Sequence, residues 1–163
     1  MVIIQQGQIQ SEQAIELKTV LGELERLKIK QEVEMNNYEK NSIEKKISLW
    51  VQSNAPTDWK KCCVYIELII INNDYESDES VVWFDSNNQV IDYLVEGSIG
   101  IQMTDLFYEL NKVSFMTDNR SWTTCKMKVT SDGKYNFDFG YDIPPRLMGS
   151  AEDLMYDPDY KEF

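Results

Sequence analysis

The sequence predicts an α+β protein, an antiparallel β-sheet packed against helices with an extra N-terminal amphipathic helix, and three observations carry that expectation. Apolar residues recur at three- and four-residue spacings before residue 54 and again around residue 107. Between and after those segments, apolar and polar residues alternate with the period of two that marks a half-buried strand. The order of helices, strands, helix and hairpin suits an antiparallel sheet with helices against it rather than repeated βαβ units.

From Ser11 to about Tyr38 the pattern is helical. Leu17, Val20, Leu21, Leu24 and Leu27 form one apolar stripe with Glu and Lys on the other faces. Glu12 and Glu16 near the start complement the helix dipole. The stripe weakens at Gln31, so this is either a short amphipathic helix or a two-heptad coiled coil. Asn36-Asn37 predicts a break. A second helix is expected from Asn41, where Glu44 completes a capping-box spacing and Ile43, Ile47, Trp50 and Val51 share one face. Asn54-Ala55-Pro56 ends it, since a residue before proline is pushed out of helical geometry.

The first strand is centred on Val64, Ile66, Leu68 and Ile70, alternating with Tyr65, Glu67, Ile69 and Ile71. Apolar on nearly both faces, it should be central. The polar stretch from Asn72 to Ser80 reads as a loop or hairpin end, followed by strands at 81–84 and 90–94. Gly97 and Gly100 predict a turn. Met103, Leu106, Phe107 and Leu110 describe a third helix with Thr104-Asp105 near its start. Cys125, Met127 and Val129, then Ser131-Asp132-Gly133, then Tyr135, Phe137, Phe139 and Tyr141 form a hairpin signature, because glycine supplies the positive φ of the turn. Gly133→Val should therefore cost more stability than Gly140→Ala. Pro144-Pro145 ends the sheet and an acidic tail follows.

Composition narrows the chemistry. At 163 residues, 42% hydrophobic and 12% aromatic, the chain can hold a core without disulfides or metal. No histidine is present, which removes the commonest general base and metal ligand. Cys62, Cys63 and Cys125 have no metal spacing, and neighbours on a strand face opposite ways, so they are expected as plain reduced thiols. No apolar run approaches the roughly 20 residues of a membrane span. The first ten residues lack the basic start of a secretory signal, so a cytoplasmic location is expected.

Charge is uneven. Residues 1–50 carry seven basic and eight acidic side chains, the rest nine and twenty, for a net −12. Between Lys61 and Lys112 stand ten acids and no base. Such a surface repels nucleic acid and either keeps the chain soluble or steers a cationic partner. Asp74-x-Glu76-x-Asp78-Glu79 invites a calcium reading, but an EF-hand needs glycine sixth and glutamate twelfth, where Glu79 and Asp85 stand. Asp138 and Asp142 sit about 13 Å apart along a strand, too wide for paired glycosidase carboxyls.

Three blocks resemble the YezG-like family of bacterial immunity proteins. They are the helix running into Pro56-Thr57-Asp58-Trp59 and the strand Val64-Tyr65-Ile66-Glu67; the helix Leu106-Phe107-Tyr108-Glu109-Leu110; and Trp122-Thr123-Thr124 followed by Gly133-Lys134-Tyr135, Phe137, Phe139 and Tyr141-Asp142. They span about residues 43–142 in family order, and Arg146 can be matched to a family arginine. The resemblance implies residues 1–40 as a helical extension and 41–163 as an immunity domain with an acidic tail. It further implies a non-catalytic chain, without cofactor or metal, that occludes the carboxy-terminal domain of a cognate toxin, a nuclease being typical. Neither nucleic acid nor membrane is an expected partner, and oligomeric state is left open. Trp59 and Trp122 are expected in the core. Partner contacts are expected at Asp74, Tyr75, Glu76, Asp78, Glu79, Trp83 and Asp85, with acids steering encounter and aromatics anchoring. The alternative is a structural adaptor or oligomerising subunit acting through the N-terminal helix. An enzyme with a carboxylate-only site is the third reading, and no convergent set can be named for it.

Overall fold

A computed structural model describes the backbone of residues 2–163 and the side chains of residues 14–97 and 100–163. The side chain of Glu12 and the segment 1–10 read for a signal thus fall outside the described side chains. The protein is α+β, and the described residues form a five-stranded antiparallel sheet and three α-helices. The chain divides into two compact units, Met1–Tyr38 and Glu39–Phe163.

Helix α1 runs unbroken over Val2–Ser53, so neither the break at Asn36-Asn37 nor the cap at Asn41 exists. Asparagine inside a helix costs at most about 0.7 kcal/mol relative to alanine. Within the second unit that cost is outweighed by Ile43, Ile47 and Val51, which bury one face against the sheet. Each large apolar side chain fully buried contributes roughly 1.5–3 kcal/mol. The turn before Asn41 is also engaged, since Lys40 lies 3.5 Å from Asp118 and over the Phe139 ring. Asn54 ends the helix by donating its side-chain amide to the Trp50 carbonyl at 2.8 Å.

Strands β1 (Lys61–Ile71) and β2 (Asp74–Phe84) form a long hairpin, not a strand and an acidic loop. The missed signal is Asn72-Asn73: both adopt positive φ, 53° and 63°, the pattern of a two-residue hairpin turn that asparagine tolerates. Asp74 to Ser80 are therefore strand residues. Strand β3 (Val90–Ile91) pairs only with Trp83 and Phe84. Helix α2 (Gly97–Asp118) starts well before Thr104, and Gly97 and Gly100 belong to it rather than to a turn. Thr104 is no cap; its hydroxyl donates back to the Gly100 carbonyl. The cost of two glycines near a helix end, about 1 kcal/mol each at most, is offset by the buried face of Met103, Phe107, Leu110 and Val113. Strands β4 (Thr124–Thr130) and β5 (Tyr135–Gly140) form the expected hairpin, with Gly133 at φ 84°. Asp142 lies beyond β5, so it shares no strand with Asp138. The sheet order is β3-β2-β1-β4-β5, with β1 central.

Pleating separates two faces. One carries Cys62, Val64, Ile66, Leu68, Trp83, Cys125, Met127 and Val129 and packs with the 43–51 turns of α1 and with α2. Trp122 is buried there, and Trp59 is half-buried with its ring edge-to-face on Trp83. Phe137, Phe139 and Tyr141 are half-buried against the same core. The opposite face carries Cys63, Tyr65, Glu67 and Phe84. The acidic tail is not a free solvated segment: α3 (Pro145–Met148) and the residues after it return over this face, where Tyr160 packs with Cys63, Tyr65 and Phe84.

Candidate functional site

The residues expected at a partner surface separate along β2. In the pairing with β1, Asp74, Glu76 and Asp78 stand opposite Ile71, Ile69 and Glu67, on the tail-covered face. Tyr75, Glu79 and Trp83 stand opposite Ile70, Ile66 and Cys62, on the helix face. Among the described residues, no strand pairs with the outer side of β2 from Asp74 to Val82, because β3 reaches only Trp83 and Phe84. The acidic run is thus one side of an open sheet edge, where charge also discourages indiscriminate strand pairing.

Trp83 cannot anchor a partner. It is 0% exposed, at the centre of the core. Asp85 accepts hydrogen bonds from the backbone N–H groups of Asn87 and Gln89 at 2.8 and 2.9 Å, a turn-forming role. Asp78 receives the Arg146 guanidinium at 2.8 Å and so belongs to a structural ion pair. Asp74, Glu76 and Glu79 remain exposed, and among the described residues none of them is in an ion pair.

Tyr75 is half-buried and links the strand to α2. Its hydroxyl donates to Asp105 at 2.7 Å and its ring lies 4.8 Å from that of Tyr108. The Asp105 hydrogen bond, then partial burial, push the Tyr75 phenol up to about 12. Tyr108 in turn donates to the Asn73 carbonyl at 3.2 Å. These contacts fasten the β1–β2 turn to α2. Beside them lies a groove of about 600 Å³ lined by Ile70, Tyr108, Phe115 and Met116 together with Glu39 and Glu109. Ile70, Phe115 and Met116 are exposed. Its lysine, Lys112, is neutralised by Glu109 at 2.7 Å. Exposed apolar side chains beside charged ones are the anatomy of a protein-binding patch, and the sequence reading missed it. Phe115 and Met116 follow Val113, the last residue of the buried stripe of α2, by two and three residues, which was the available signal.

A second cluster was also missed. Glu67 is fully buried, yet both its oxygens are occupied. One accepts the Tyr65 hydroxyl at 2.7 Å; the other accepts the backbone N–H groups of Arg146 and Leu147 at 2.8 and 3.0 Å. Burial, then the Glu67 hydrogen bond, push the Tyr65 phenol far up. Arg146 stacks over the Tyr65 ring and donates to Asp78, Ser80, the Tyr156 carbonyl and Asp157. The signal was one acid inside the apolar run Val64–Ile71, since a buried charge demands a partner. Chemically the cluster is a fastener: the Glu67 carboxylate ties the Tyr65 hydroxyl to the backbone of α3 through three hydrogen bonds. The three thiols are buried and pushed up by burial, Cys63 to about 11 and Cys62 and Cys125 well above the ordinary thiol value, which opposes nucleophilic use.

Among the described residues, no group of three or more His, Cys, Asp or Glu converges as a metal site, and no helix is long and apolar enough to cross a membrane. No family model matches the chain, and no curated protein is significantly similar to it.

Proposed function

We propose that this chain is an immunity protein of the YezG-like kind, a non-catalytic binder that neutralises the domain of a cognate bacterial toxin by steric and electrostatic occlusion. The observation that carries the proposal is the pairing of an acidic open edge, Asp74, Glu76 and Glu79, with the apolar groove of Ile70, Phe115 and Met116. The acids suit a cationic partner such as a nuclease whose groove holds phosphates. The groove suits the desolvated anchors that set dissociation. Trp83 has no part in it, and Asp78 contributes field but not contact.

The test is co-expression with the toxin encoded beside this gene. Co-purification and protection of cells are expected; failure of both refutes the proposal. With the pair in hand, Asp74→Asn, Glu76→Gln and Glu79→Gln together should slow association and flatten its dependence on ionic strength. Phe115→Ala with Met116→Ala should instead speed dissociation. Identical salt slopes for wild type and the triple variant would remove the acidic edge from the interface.

A further inference from the structure

The first unit poses a separate question. Leu17, Val20, Leu21, Leu24 and Leu27 lie on one face of α1 and are 50–66% exposed, and none belongs to either core cluster. A continuous apolar stripe left in water is a contact surface without its contact. The stripe has the spacing of a coiled-coil seam. With Leu17 and Leu24 at the a positions, Val20 and Leu27 fall at d, Leu21 and Lys28 at e, and Glu16, Glu23 and Lys30 at g. Gly22 falls at f, opposite the seam, where its missing side chain removes no contact.

We propose that this seam is a parallel two-stranded coiled coil formed with a second copy of the chain. The charges at its flanks select that occupant. In a parallel pair, a g residue of one helix meets the e residue five positions on in the other. Glu23 then meets Lys28 of the second copy, and symmetry repeats the pair. Glu16 meets Leu21 and Lys30 meets Met35, so no like charges face one another. The antiparallel pairing that layers Leu17 on Leu27 also sets Glu16 opposite Lys30 twice, but it places Glu23 opposite its own copy, a like-charge contact that the parallel pairing lacks. Gln31 occupies the next a position, where a parallel partner sets an identical amide across from it. Polar a residues of this kind fix register at a cost in affinity. Two apolar heptads make a reversible dimer, not a permanent one.

Sedimentation equilibrium of the full chain across micromolar to near-millimolar concentrations tests this. A monomer–dimer equilibrium is expected, and Leu24→Asp should abolish it. All four tryptophans lie in residues 39–163, so unchanged tryptophan fluorescence in that variant would show that the second unit remains folded. Glu23→Lys alone, or Lys28→Glu alone, should weaken the dimer by about tenfold, since two attractive pairs become two repulsive ones. The double variant should restore it. A wild-type chain that stays monomeric throughout overturns the proposal and assigns the stripe to a different protein. A dimer indifferent to Leu24→Asp, or to both single charge reversals, overturns it equally.

Discussion

Removing the Arg146 side chain should detach the C-terminal segment without unfolding the sheet. The side chain is only 10% exposed, and its guanidinium group makes four hydrogen bonds, to Asp78 and Ser80 at 2.8 Å, the Tyr156 carbonyl at 2.7 Å and Asp157 at 3.1 Å. Breaking a fully buried ion pair costs about 3–5 kcal/mol. Here Asp78 and Asp157 are about half and two-thirds exposed, so both rehydrate when abandoned. The cost of Arg146→Ala should fall to about 1–3 kcal/mol, which raises the population of the opened segment by roughly 5- to 150-fold. Cys63 reports that opening. Its sulfur lies 3.4 Å from the Tyr160 carbonyl under the segment, and burial, opposed by Lys61 and Lys128, leaves its thiol at about 11. Thiol labelling at fixed pH in native buffer, resolved by cysteine through peptide mass, measures it. Labelling of Cys63 should accelerate within that range, while Cys62 and Cys125 on the helix face stay protected. An unchanged Cys63 rate would refute the fastener reading of Arg146. Equal acceleration of all three thiols would show that the variant unfolds the sheet instead.

Three further outcomes follow from the β4–β5 hairpin. Gly133→Ala should cost about 1–2 kcal/mol in thermal unfolding, because the positive φ strains any side chain while the space around it is open. Gly140→Ala narrows the gap expected from sequence, since its new methyl meets the Thr124 hydroxyl; Thr124→Ala in the same chain should recover that loss. Asp132 is held down to about 2, chiefly by the Lys134 ammonium and then the Thr130 hydroxyl. A lowered folded value means that its contribution is complete above the ordinary carboxylate range and is lost as pH falls through about 2. Carboxyl carbon NMR should place its midpoint there, and Lys134→Ala should move it back toward the usual value.

Much of the architecture was legible because apolar periodicity and turn chemistry agreed. The central strand, the Gly133 hairpin and the stripes of Ile43, Ile47 and Val51 and of Met103, Phe107 and Leu110 all follow from that agreement. The failures came where a local signal met a stronger tertiary one. Asn36-Asn37 and the Asn41–Glu44 spacing imitate a break and a cap, but the buried face carries helix α1 onward. Asp74 to Ser80 looked like a loop because acids are poor strand formers. An edge strand with one neighbour tolerates them, and Asn72-Asn73 closes the hairpin. The site was harder to read than the fold. Trp83 and Tyr75 sit eight residues apart on the same face of one strand, yet one is sealed in the core and the other stacks on Tyr108 at the rim. That difference depends on where α2 passes, and sequence spacing along β2 carries no information about α2.

Sealing the thiols has a consequence for how the molecule behaves as acidity changes. Histidine is absent, and burial moves the three cysteines above the range where thiols ordinarily ionise. From about pH 6 to 9, these two side-chain types, the ones that normally supply a protein with its neutral-range titration, are both silent. Neither type therefore changes the side-chain charge across that interval. Whatever attraction the carboxylates exert on a basic molecule persists through a swing of acidity that would switch a histidine-bearing surface on or off. Ionic strength, rather than protons, is the variable left to govern it.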